Sequence, residues 1–362
     1  MQASTIPTEK LLEFMETAGV PGLVFSIIKD RQVISTQAIG VKNSETKEEP
    51  VTENTLFQAA SLSKPVFTYG VLTLKQEGKL DLDKPLHDYL PLPEADEIPQ
   101  LKLITTRQAL THTSGLQNWR FDIEDKFEFE FEPGTGFSYS GEGFFYVQRV
   151  IEQITGQSIE SFLQKRVLRP FGMTNSTYIW RVEHEAMISM GHRDRGQKAN
   201  PWNAWQGRKL LEIAAQKNKA LDSWLYQDFV EALPQVHANL SPLPNNMIPN
   251  VAGSLLTTAP EYAQFMLRLL EPKNEIAGQM LKSQHQLNSL LSWGIGIGLE
   301  KIGSEPCFWH WGENGCFENF MFGNPKTGNG IVILTNGNRG LKICERIVQT
   351  VTEQGLNAFL WI

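Results

Sequence analysis

From Leu62 to Leu74 the chain carries Leu62, Val66, Phe67, Val71, Leu72 and Leu74 at a spacing that predicts a core helix, stopped by Gly78. A helix with so many apolar positions has to be covered by the rest of the molecule. Its first turn holds unexpected chemistry. The approach Phe57-Gln58-Ala59-Ala60 runs into Ser61-Leu62-Ser63-Lys64-Pro65, and Pro65 suits a first turn, where its missing N–H had no intrahelical partner to lose. With the helix predicted over 61–77, Ser61 and Lys64 are i,i+3 neighbours on one face, so the amine reaches the hydroxyl unaided. The dipole at that end favours developing negative charge, which makes Ser61 the candidate nucleophile.

The S-x-x-K pattern alone carries little weight, since average usage yields it roughly once by chance in a chain of this length. A second copy, Ser44-Glu45-Thr46-Lys47, lies in a polar run without an apolar face and reads as a solvated loop. Context separates the two copies.

The chain has 362 residues, 41% hydrophobic and 10% aromatic, which is material for a large core and about two domains. A formal net charge of -7 with no Lys/Arg run argues against a nucleic-acid partner or an anionic membrane. No apolar run approaches the roughly 18 to 20 residues of a membrane span. Met1 to Pro7 lacks a basic region followed by an apolar one. The expectation is a cytoplasmic protein if the sequence is full length, and a periplasmic or secreted one if a signal peptide was removed. Cys307, Cys316 and Cys344 show no C-x-x-C spacing, so neither a disulfide framework nor a zinc site is expected, and no metal or organic cofactor is implied.

Along the chain, the pattern predicts a helix over 8–18 closed by Gly19, then an antiparallel hairpin of 22–28 and 32–39 across Asp30-Arg31. Asp81 to Pro99 reads as a long surface excursion. Thr105 caps a helix that closes into His112-Thr113-Ser114-Gly115-Leu116, and 142–155 is helical up to Gly156. From 181 to 250 charge, asparagine and tryptophan (Trp202, Trp205, Trp224) increase, with the tryptophans read as packing. Strands are expected at 293–299, 307–310, 317–322 and 330–335, and a last helix over 341–359. The fold class is α+β: one antiparallel sheet built from both chain ends and flanked by helices, with a mostly helical insertion. The boundaries are 1–75 plus 250–362 for the α/β part and 76–249 for the helical part.

A serine hydroxyl must lose its proton as it attacks, and Lys64 serves as base only if its pKa is lowered, so a third group is expected. Tyr139, in the turn-rich loop Glu132 to Gly141, is the candidate. Two donors must also face the developing oxyanion: the Ser61 N–H and one from an edge strand.

Ser61-x-x-Lys64, Tyr139-Ser140-Gly141 and His310-Trp311-Gly312, in that order, resemble the three motifs of the serine β-lactamase and penicillin-binding-protein superfamily, closest to its class C branch with related esterases and D-peptidases. Supporting phrases include Val20-Pro21-Gly22, Leu110 to Leu116, Pro133-Gly134, Pro170 to Met173, Ala252 to Thr258 and Trp293 to Gly296. The resemblance implies Ser61 as acylated nucleophile, Lys64 as its proton partner and Tyr139 as general base. It implies that His310 to Glu313 form the cleft edge, with the Glu313 N–H as second oxyanion donor. Two positions depart from the pattern. Gly141 stands where the family has the asparagine of Tyr-x-Asn, and His310 stands where it has a lysine. Both lean away from β-lactam hydrolysis. The literal Lys326-Thr327-Gly328 follows Asn324-Pro325 and reads as a hairpin turn. His112 reads as a hydrogen-bonded structural histidine, and Cys307 and Cys316 as packing around the site strand.

The expected function is a cofactor-independent serine hydrolase acting on small esters, amides or D-amino-acid peptides. The alternatives are a retired, ligand- or protein-binding relative and, within the class, a true β-lactamase. Asn118 and Trp119 are further candidates for substrate contact. The sequence gives no oligomeric state.

Overall fold

The computed structural model describes residues 5–121, 125–195, 197–198, 204–237, 240, 248–303 and 305–362. Its frame is an eight-stranded antiparallel sheet drawn from both parts of the chain. Gly22–Lys29 and Gln32–Gly40 come from the first part; His285–Gln286, Leu291–Trp293, Gly298–Ile302, Glu305–Glu313, Glu318–Asn324 and Asn329–Thr335 come from the last. Gly22–Lys29 pairs with Asn329–Thr335, which closes the two contributions into one sheet. The first hairpin turns on Asp30 and Arg31, both left-handed at φ 49° and 62°, the two-residue geometry that matches strand twist.

The inner strands are mostly apolar because both faces are covered, with Ser26, His310 and Asn319 as buried polar exceptions. Ile331 and Ile333 join a cluster with the helices Thr8–Ala18 and Gly340–Thr352, whereas Val332 and Leu334 join the larger cluster around the helix Ser63–Gln76. A one-residue slip would exchange these sets, so register is tightly specified.

Several elements differ from the pattern-based expectation. The α-helix begins at Ser63, not 61, since Ala60–Leu62 forms a 3₁₀ turn. The run 293–299 is two strands, with Gly294–Ile297 turning between them: the Gly294 N–H bonds to Ile297 O and Gly296 has φ +69°. That turn is buried and apolar, which removes the polar signal that usually marks a turn. The last helix stops at Thr352, and a separate short helix, Ala358–Trp361, follows. Buried Glu300 starts it by accepting the N–H groups of Asn357 and Ala358. The excursion from Asp81 to Pro99 is anchored by buried Leu82, Leu86, Leu92 and Ala95 rather than lying free on the surface. Trp224 is core, Trp205 is 53% exposed, and Trp202 lies outside the described residues. Among the described residues no helix is long and apolar enough to cross a membrane.

Candidate active site

Ser61 sits in a turn held from several directions. Phe57–Gln58 pairs with Leu256–Thr257, the Ala59 N–H bonds to Leu255 O, and the Ser63 hydroxyl donates to Ala60 O while accepting from the Leu255 N–H. Ala60 is left-handed at φ +48°, a conformation that costs an alanine about 1 kcal/mol or more and persists only where neighbours enforce it. Tyr178 and Tyr262 donate their hydroxyls to the carbonyls of Ser63 and Leu62 and so fix the start of the helix.

Lys64 is 1% exposed, and its ammonium donates to Ser61 Oγ at 2.9 Å and to Ala252 O at 2.9 Å. It also lies 4.6 Å from the Tyr139 ring centroid and 5.6 Å from that of Phe144. Among the described residues no carboxylate forms an ion pair with it. Desolvation without a counterion disfavours the charged form, and the Lys64 pKa falls to about 7. At neutral pH a large fraction of Lys64 therefore carries a lone pair toward Ser61.

Tyr139 is delivered by a loop folded round His112. The Ser138 N–H bonds to His112 O, the Ser140 N–H to His112 Nδ1, and the rings of His112 and Tyr139 lie 4.1 Å apart. Ser140 then caps the helix Gly141–Thr155 through the Gly143 N–H. The Tyr139 hydroxyl is buried and makes no well-formed hydrogen bond among the described residues, although Ser61 is close enough to ease its ionisation. We read this as a loose approach that a bound substrate would tighten. Burial dominates and pushes the phenol pKa upward, so Tyr139 is a neutral phenol at pH 7.

The strand Glu305–Glu313 supplies the opposite wall. Its pairing with Gly298–Ile302 ends at Trp309, whereas pairing with Glu318–Asn324 runs on to Glu313, so the segment 310–313 has an edge that this neighbour does not cover. Gly312 abuts the nucleophile turn: a Cβ there would lie 2.2 Å from Ala59 O and 3.2 Å from the Ser61 nitrogen. Asn319, fully buried, donates to Gln58 O and accepts from the Thr335 N–H, and Asn314 donates to the Gln58 side chain. These amides lock strand and turn together.

Ser61, Lys64, Tyr139 and the edge around Gly312 are thus brought together. His310, expected on the strand of the cleft edge with a largely neutral imidazole, lies on that strand with its side chain inside. It is fully buried, its Nδ1 bonds to Trp311 O at 2.6 Å, and burial with the nearby Lys64 charge drives its pKa to about 3. At neutral pH this buried imidazole is uncharged. The Trp311 ring is tilted against that of Tyr139, with centroids 4.8 Å apart. His112 accepts at Nδ1, and its buried Nε2 has no partner among the described residues. Asn118 is exposed, and its amide oxygen accepts the Gly141 N–H at 2.9 Å. Trp119 is half-buried, with its ring where a side chain at Gly141 would stand.

Lys326 to Gly328 lie in the turn between Glu318–Asn324 and Asn329–Thr335, at the opposite end of those strands from Asn319 and so roughly 15–20 Å along the sheet. Ser44 to Lys47 form a turn that is largely exposed. Cys307 is buried on the site strand and Cys316 in the turn after it. A cleft of 730 Å³ between Ile179–Glu183 and Leu211–Asp222 contains none of the site residues. Reading from sequence missed Ala252, whose role is a backbone carbonyl, and Tyr178 and Tyr262, which look like ordinary core aromatics. Asn319 was the detectable one: it is a lone amide inside the apolar run Phe317 to Phe322.

The family model described as Beta-lactamase matches residues 8–346. The chain belongs to the beta-lactamase family. Among curated relatives it is 28% identical to esterase EstB of Burkholderia gladioli over 190 residues, 44% of this chain and 47% of that protein. It is 31% identical to penicillin-binding protein 4* of Bacillus subtilis (strain 168) over 168 residues, 39% of this chain and 36% of that one. The chain therefore spans about half or less of the curated relatives it matches. Among solved structures of the family's fold, D-alanine carboxypeptidase AmpC from Burkholderia cenocepacia superposes with a TM-score of 0.71 at 18% identity, covering 95% of this chain and 97% of that one. The antiparallel sheet with flanking helices is thus the β-lactamase-like fold that the motifs implied.

Proposed function

We propose that this chain is a cofactor-independent serine hydrolase that works through a Ser61 acyl-enzyme and prefers small esters to β-lactams. The observation that carries the reading is the buried Lys64 amine, 2.9 Å from Ser61 Oγ and without a carboxylate partner among the described residues, with a pKa near 7. In acylation Ser61 Oγ bonds to the substrate carbonyl carbon and its proton passes to Lys64. The N–H groups of Ser61 and Glu313 receive the oxyanion. The proton then reaches the leaving oxygen through the Tyr139 phenol as the ester C–O bond breaks. Water, deprotonated by the same pair, then bonds to the acyl carbon, the bond from that carbon to Ser61 Oγ breaks to release the acid, and the proton returns to Oγ. This assigns primary base character to Lys64 and a relay to Tyr139, because burial holds the phenol protonated.

The preference for esters rests on the two departures. Gly141 provides no amide, and neutral His310 provides no cation for a substrate carboxylate. The esterase among its relatives is in line with this. Purified protein is expected to hydrolyse p-nitrophenyl acetate at a rate abolished in Ser61→Ala, with kcat/KM for nitrocefin at least about a hundredfold lower. Nitrocefin turnover equal to or above that of the ester would reverse the assignment.

A further inference from the structure

The side chain missing at position 141 has been replaced in space by another. An ideal Cβ on Gly141 would lie 2.0 Å from Cζ2 of Trp119 and 2.4 Å from Cε2 and Cη2, so the benzo edge of the indole occupies the first position of any side chain there. Gly141 is two residues from Tyr139 and begins the helix Gly141–Thr155, which puts the indole at the border of the reacting centre.

The ring is held there rather than resting by chance. Asn118 O accepts the N–H groups of both Gly141 and Glu142, Asn118 Oδ1 accepts the Gly141 N–H as well, and the Ser140 hydroxyl donates to Gln117 O. On the other side of Trp119, the Glu142 carboxylate, 1% exposed, accepts the Arg120 backbone N–H at 2.9 Å and pairs with its guanidinium. Trp119 is thus clamped at both neighbours yet remains half-exposed, and the same loop presents Phe121 at 87% exposure. A rigid, partly wet aromatic edge is a cheap recognition surface, since little side-chain entropy remains to be lost when an apolar group covers it.

The geometry points to Trp119 as a specificity-determining residue of this site, whose indole receives an apolar alkyl or aryl substituent of the ester in place of the polar contact a side chain at 141 would make. This rests on the serine-hydrolase reading above. Gly141 is required because any β-carbon displaces the ring.

The test uses the whole chain and two ester sets: p-nitrophenyl acetate, butyrate and hexanoate for the acyl side, and ethyl, butyl and phenyl acetates for the alcohol side. Wild type should prefer the longer or aromatic member of at least one set, and Trp119→Ala should lower that kcat/KM ratio about tenfold, chiefly through KM. Gly141→Asn alone should lower the same ratio by displacing the ring. Trp119→Gly combined with Gly141→Asn should cost less activity than the product of the single changes, because the clash is gone. Ratios within twofold of wild type in Trp119→Ala for both sets, in a protein whose Ser61 still reacts with a fluorophosphonate, would overturn the role of Trp119 alone. Failure of wild type to react with either the probe or any ester would instead overturn the hydrolase reading and this inference with it.

Discussion

Replacing Lys64 with methionine is expected to lower kcat for p-nitrophenyl acetate by about 10³-fold, in the 10²–10⁴ range typical of a lost general base. Methionine keeps the length and apolar stem of the side chain, so the contacts with the rings of Tyr139 and Phe144 are largely retained and the fold is expected to survive. What disappears is the amine that lies 2.9 Å from Ser61 Oγ. The pH profile makes the same point without mutation. Burial lowers the Lys64 pKa from 10.5 to about 7, and a base works only when deprotonated, so kcat/KM rises with pH through about 7 and levels off above it. Lys64→Met should lose that rising limb. Tyr139 contributes no limb near neutrality, since its own pKa moves upward. Residual activity in the variant within tenfold of wild type would mean that another group takes the proton.

The second large effect is Gly312→Ala. The added methyl would lie 2.2 Å from Ala59 O and 3.2 Å from the nitrogens of Ser61 and Leu62, all backbone atoms that no rotamer change can move aside. Either the strand or the serine turn must shift. Overpacking of this kind costs about 1–3 kcal/mol of stability. The catalytic cost is larger, because a displacement near 1 Å at the reacting atoms is worth about 10²-fold. The expected outcome is a folded protein, by circular dichroism and a cooperative urea transition, with kcat reduced about 10²-fold or more. Wild-type kcat in this variant would show that the strand does not abut the nucleophile as described.

How much of this was legible before the structure varies with the kind of signal. Ser61 and Lys64 were readable because a local spacing joins them, and the order of the three motifs supplied Tyr139 and the strand at 310–313. Sheet strands were readable as apolar runs, but their ends were not, since the turn at Gly294 to Ile297 is as buried and apolar as the strands it separates. The helix start was misplaced by two residues because left-handed Ala60 carries no compositional mark. Buried polar groups were the main blind spot. Glu300 and Glu160, each 1% exposed, look like surface carboxylates in the sequence, yet the first nucleates the turn at Asn357 and the second holds Thr177, Tyr178 and Arg181. Their role depends on donors far away along the chain, which no local pattern records. His310 shows the same limit: its place on a strand was legible, but only the fold reveals that its imidazole is sealed away from solvent.

The central claim is that Ser61 is the nucleophile of an acyl-transfer site. The most direct test is to react the intact chain with a fluorophosphonate at neutral pH, then locate the adduct by intact mass and peptide mapping. One adduct on Ser61, absent in Ser61→Ala and formed much more slowly in Lys64→Met, is the predicted result. A folded wild-type protein that stays unlabelled, or carries the adduct on another residue, would contradict it.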